Sequence, residues 1–200
     1  MITKQPSKIA IILHDNESVD RQERVAHAEE ILRFHNYQTH IITDVADFKH
    51  FKADRIIVLY IGHGRNSTTP FLLFQKTEYE VTGFLQYIKA KELVLISASC
   101  FSGSWMNLAQ KGRLIISVAN MTFTISILAQ FSPYAIGGSI VNLLKTVHVL
   151  EVPLEVAYEI WVDEIMFPWY QCISRLNWDY RDATTWHPLI YDGIIGNLTF

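Results

Sequence analysis

The stretch RIIVLYIGHG, residues 55–64, decides how the chain is read. Six apolar, mostly β-branched residues follow Arg55 without the polar alternation of a half-exposed strand. Such a run fits a strand covered on both faces, which is the habit of a parallel sheet. It ends abruptly in Gly62-His63-Gly64, three residues that suit a tight exit. Two other stretches share this design: KIAIIL (8–13), which runs into His14-Asp15, and LVLIS (93–97), which runs into Ala98-Ser99-Cys100-Phe101-Ser102-Gly103. YQTHIIT (37–43) and RLIISVA (113–119) complete five strands.

Helical spacing fills the gaps. Val25, Ala28, Ile31 and Leu32 form one apolar stripe over residues 20–32, and Asp20 with Glu23 reads as a capping box at its start. Thr82–Ala90 reads as the crossover helix into the fourth strand, and Trp105–Gln110 as a short helix before the fifth. Tyr134–Val147 and Pro153–Phe167 read as helices, the second opened by a proline in its first turn. A last strand is expected near Leu189–Ile195. Repetition of β-α-β without repeats or linkers predicts a single α/β domain over residues 1–200, with helices on both faces of a mostly parallel sheet of about six strands.

Bulk composition narrows the function classes. Half of the 200 residues are hydrophobic and 18% are charged, enough for one sizeable core. The net charge of −3 and the lack of any Lys/Arg cluster argue against a nucleic-acid partner. Only two cysteines, Cys100 and Cys172, are present, so no disulfide framework is expected. That suits a reducing compartment, and the short apolar run before His14 is no signal-peptide core, so a cytoplasmic protein is expected. Leu114–Leu144 carries no charge, yet Asn120, Gln130, Pro133, Gly137-Gly138 and Asn142 divide it into strand, polar loop and helix rather than a membrane span. The Asn-x-Ser/Thr sequences at Asn16, Asn66, Asn120 and Asn197 would matter only in a secreted chain.

In an open parallel sheet, chemistry gathers at the C-terminal ends of the strands. If the third and fourth strands are neighbours, His63 and Cys100 leave the same edge side by side. An imidazole beside a thiol favours the thiolate nucleophile and can later protonate a leaving amine. Glycines let a substrate approach the backbone, and the amides of Gly64 and Cys100 are candidates for an oxyanion site. A lone cysteine at a strand end is ordinarily a small buried hydrophobe. The pairing with His63 on a neighbouring strand end is what favours the reactive reading.

An apolar strand ending in IGHG (61–64), followed by a second ending in SASCFSG (97–103), resembles the caspase-like cysteine peptidases. The strand order from Lys8 to Ala119 fits the same family. The resemblance implies a three-layer α/β/α sandwich, His63 as general acid/base, Cys100 as nucleophile, and oxyanion donors at Gly64 and Cys100. Legumain-like members match best, since DRQERVAHAEEIL (20–32) is similar to their helix with an Ala/Cys-His-Ala step. Those enzymes place an arginine just before that helix; here Asp20 stands there and Arg21 follows it.

The expectation is a cysteine endopeptidase acting on protein or peptide through a thioester acyl-enzyme. A catalytically inactive binding module of the same fold and a transpeptidase using the same dyad are the alternatives. Substrate-lining candidates are Asp15, Asp20, Arg21, Ser99, Ser117 and Asn120, with His14 a weaker one. An acidic residue here would favour Lys or Arg before the cut bond, and Arg21 or Arg24 would favour Asp or Asn. The position of Asp20 leans the reading towards a basic residue. Cys172 sits among aromatic residues and reads as an inert thiol. No cofactor is expected; the remaining histidines lack ligand spacing for a metal, and no loop has the alternating oxygen ligands of a calcium site. Pairing of the C-terminal edge strand would give a homodimer, which the sequence leaves open.

Overall fold

The computed structural model describes residues 7–15, 19–74, 77–117, 143–144, 149, 154–160 and 189–192. The elements in chain order are β1 (Lys8–His14), α1 (Val19–Phe34), β2 (Gln38–Ile42), β3 (Phe51–Ile61), β4 (Phe71–Phe74), β5 (Thr77–Glu80), α2 (Val81–Leu85), β6 (Ile88–Ala98), β7 (Arg113–Ser117), α3 (Leu154–Ile160) and β8 (Leu189–Asp192). The main sheet has the order β2-β1-β3-β6-β7-β8. Its first five strands are parallel, and β8 pairs antiparallel to β7 at the edge.

The unbroken apolar runs do what their pattern demands. Ile9–Leu13, Ile56–Ile61 and Leu93–Ala98 are buried along their whole length, so both faces of the sheet centre are covered. On one face, Ile9, Ile11, Leu13, Ile56, Val58, Tyr60, Leu93, Leu95 and Ile115 form a continuous core with Trp105, Leu108, Leu72, Phe74, Val81 and Phe84. Residues of the opposite parity, Ala10, Ile12, Ile57, Leu59, Val94 and Ile96, are fully buried on the other face. Helix α1 packs along β1 and β2 and buries the expected stripe of Val25, Ala28, Ile31 and Leu32.

Three expectations are corrected. Helix α1 begins at Val19, which places Asp20 inside its first turn rather than at the cap. The crossover helix shrinks to Val81–Leu85, because Ile88–Ala90 pair with Phe51–Ala53 and extend β6 and β3 to eleven residues each. These extensions alternate, with Phe51 and Ala53 inward and Lys52 and Asp54 outward, the period of a strand with one wet face. The hairpin β4–β5 was not anticipated at all. It sets Leu72 and Phe74 inward, and Phe48 gathers the rings of Phe74, Tyr79, Phe84 and Tyr87 at 4.7–5.9 Å between centroids. The short helix after Cys100 is a 3-10 segment, Ser102–Leu108, earlier than the expected Trp105–Gln110. The expected helix at 134–147 lies outside the described residues apart from the helical pair Leu143-Leu144, and the C-terminal strand is seen over Leu189–Asp192. Among the described residues no helix is long and apolar enough to cross a membrane.

Strand β1 lies between β2 and β3, so the chain leaves it first in one direction and then returns past it in the other. The loops after β1 and β3 therefore diverge above this point, opening the kind of crevice in which α/β sheets hold ligands.

Candidate functional site

Strand register sets His63 and Cys100 level. Ile61 pairs with Ala98 in the last rung of β3 and β6, and each candidate follows its strand by two residues. Contact between the two exits is close. A Cβ on Gly64 would overlap the carbonyl oxygen of Cys100, lie 2.7 Å from its carbonyl carbon and reach 3.1 Å from Ser99 Oγ. Only glycine fits there, which explains the residue that follows His63. Gly62 is equally constrained, since a Cβ would stand 2.5 Å from the hydroxyl oxygen of Tyr60.

Tyr60 fixes the loop carrying His63. Its fully buried ring stacks on Trp105 with centroids 6.0 Å apart and planes 10° from parallel. The hydroxyl donates to the His63 carbonyl at 2.7 Å and accepts from the Leu73 amide at 2.9 Å. The loop after β3 is thereby tied to the hairpin and, through Trp105, to the 3-10 segment behind Cys100. Asn107 of that segment donates to the Thr68 carbonyl at 2.6 Å, a second tie between the same two loops.

Cys100 is half-buried and forms no disulfide among the described residues. The next residue, Phe101, has φ 53° and ψ 22°, the left-handed region that costs an ordinary side chain roughly 1–2 kcal/mol. This turn swings the chain sharply from β6 into the 3-10 segment. Small residues pack behind it: Ser97 and Ser99 share a hydroxyl hydrogen bond of 3.0 Å, and Ser117 donates to Ser102 at 2.9 Å. Ser99 and Ser117 are both buried, so they shape the floor beneath the turn.

His63 itself is exposed and meets Arg21, whose Nη2 lies 3.0 Å from Nε2 of the imidazole. Arg21 also forms an ion pair through Nη1 with Asp15, whose side chain is fully buried at the end of β1. Burial draws the neighbouring His14 below the usual imidazole range; Asp15 pulls it upward and Arg21 downward. Farther out, Arg65 pairs with Glu78 of β5 and lies over the Phe71 ring at 4.9 Å.

The structure thus brings together His63, Gly64, Cys100, Asp15, Arg21 and Ser99, with Ser117 below. Asp20 stands in the same helical turn as Arg21. Asn120 and Cys172 lie outside the described residues. Sequence reasoning missed Tyr60 as the anchor of the loop; its place three residues before His63, inside an otherwise aliphatic run, was the available signal. Among the described residues no group of three or more His, Cys, Asp or Glu side chains could hold a metal ion. No family model matches the chain, and no curated protein matches it.

Proposed function

We propose that the protein is a cysteine endopeptidase of caspase-like architecture, with Cys100 as nucleophile and His63 as its acid/base partner. The observation that carries the reading is the fit of Gly64 against the Cys100 carbonyl, with His63 and Cys100 leaving one rung of the sheet. In this mechanism His63 takes the thiol proton and the Cys100 sulfur attacks the scissile carbonyl. The tetrahedral oxyanion sits near the amides of Gly64 and Cys100. Collapse to the thioester passes the proton from His63 to the leaving amine, and water then releases the acid. The strained turn at Phe101, directly after Cys100, supports the reading, since such backbone strain gathers at functional sites.

The decisive experiment combines a peptide library with the Cys100→Ala and His63→Ala variants. Cleavage by the wild type, lost by at least about a thousandfold in either variant, is expected for a dyad. Equal rates in wild type and variants would leave the fold as a binding module, and transfer to an added amine in place of hydrolysis would mark a transpeptidase. The same library reads the preference before the cut bond. Asp20 leans it towards basic residues, while the charge set beside His63 is that of Arg21, already engaged by Asp15.

A further inference from the structure

The Arg21 guanidinium has only N–H donors and no acceptor. Its contact with His63 Nε2 therefore uses the lone pair of that nitrogen, and in the neutral ring the proton then resides on Nδ1. This has a chemical consequence for any proton transfer from Cys100. An imidazole accepts a proton only at a nitrogen with a lone pair. While Arg21 is in place, Nε2 is committed and Nδ1 already carries hydrogen, so neither nitrogen can take the thiol proton, whichever of them faces the sulfur.

We infer that Arg21, anchored by Asp15, is the positioning residue of His63: it fixes the Nδ1–H tautomer and holds the pair as neutral imidazole and thiol until it withdraws. The inference rests on His63 and Cys100 acting as a dyad. Two features of the structure support it. The buried Asp15 carboxylate holds Arg21 by Nη1, so Nη2 can leave the ring without the guanidinium losing its anchor. The Arg21 side chain is also mostly covered, at 17% exposure, which limits it to a few positions near the ring. When Nη2 turns away, the ring regains an uncommitted lone pair and can take up the Cys100 proton, giving imidazolium and thiolate. Asp15 then keeps the departed guanidinium neutralised beside the new positive charge.

The first test reads the wild-type ring directly. Nitrogen-15 spectra of the histidine rings in the wild-type protein at pH 7.5, with His63 assigned by loss of its signals in His63→Ala, should show Nδ1 protonated and Nε2 bare. A bare Nδ1 with protonated Nε2 would overturn the assignment. The second test is the rate of Cys100 alkylation by iodoacetamide at pH 7. Arg21→Met should react about tenfold faster than wild type, as thiolate content rises, and Arg21→Lys, which keeps a cationic N–H donor group, should restore the slow rate. The double variant Asp15→Asn/Arg21→Met leaves no unpaired buried charge and should be fast as well. Unchanged or slower alkylation in both Met variants would overturn the inference. Peptide cleavage is scored separately: a wild type that cuts nothing yet shows the Nδ1–H ring and the faster Met variants would defeat the peptidase reading and sustain the role of Arg21.

Discussion

At the scale of single residues, the site depends on atoms that are absent as much as on those present. Gly64→Ala must push either the His63 loop or the Cys100 carbonyl aside, since the added methyl falls on that carbonyl. We expect a loss of about 1–3 kcal/mol in urea unfolding and a fall of roughly 100-fold in Cys100-dependent cleavage, the usual result of misplacing reacting groups by an ångström. Tyr60→Phe is subtler. It removes the hydroxyl shared by the His63 carbonyl and the Leu73 amide, and stranding those groups should cost about 1–3 kcal/mol in the same titration. The placement of His63 and Cys100 at neighbouring strand ends was legible from sequence because each follows an apolar strand and sits among small residues. Arg21 was legible only as a candidate. Its bond to a ring 42 positions away depends on the direction in which the first turn of α1 aims it, and no local pattern encodes that.

At the scale of elements, the strands were easier to read than their connections. A run such as Ile56–Ile61 declares its own burial, whereas Phe71–Phe74 is four residues long and becomes a strand only by pairing with Thr77–Glu80. Phe84, Leu85 and Ile88 have helical spacing, yet residues 88–90 pair with Phe51–Ala53, and that pairing outweighs the local preference. The 3-10 segment after Cys100 owes its place to Trp105, which is 1% exposed and lies flat against Tyr60. Trp105→Ala should therefore cost about 3–5 kcal/mol and, because the ring supports both loops of the site, slow Cys100 alkylation or cleavage in the folded remainder. Full reactivity in a destabilised Trp105→Ala protein would show that the ring supports the core without supporting the site.

At the scale of the whole molecule, two histidines tie stability to pH, His14 buried and His40 half-buried. His14 is held below its ordinary range by burial, and His40 by burial with help from Lys49. The unfolded chain protonates both near pH 6.5 while the folded chain resists. Stability contributed by their neutral forms is thus complete above that pH and is lost as the pH falls below it. The urea midpoint should drop between pH 7 and 5, and His14→Gln should flatten part of that slope. The order of strands also has a bearing on how the site can fail. Thirty-seven positions separate His63 from Cys100, and their strand exits come level only because β3 and β6 close like a zip from Phe51 and Ile88 to the final rung of Ile61 and Ala98. Fraying of that one terminal rung would part the pair while the ten-residue zip below stayed shut. If His63 and Cys100 act as proposed, an opening far smaller than unfolding would abolish cleavage, and slow hydrogen exchange in the sheet centre would persist in molecules whose two strand exits had already separated.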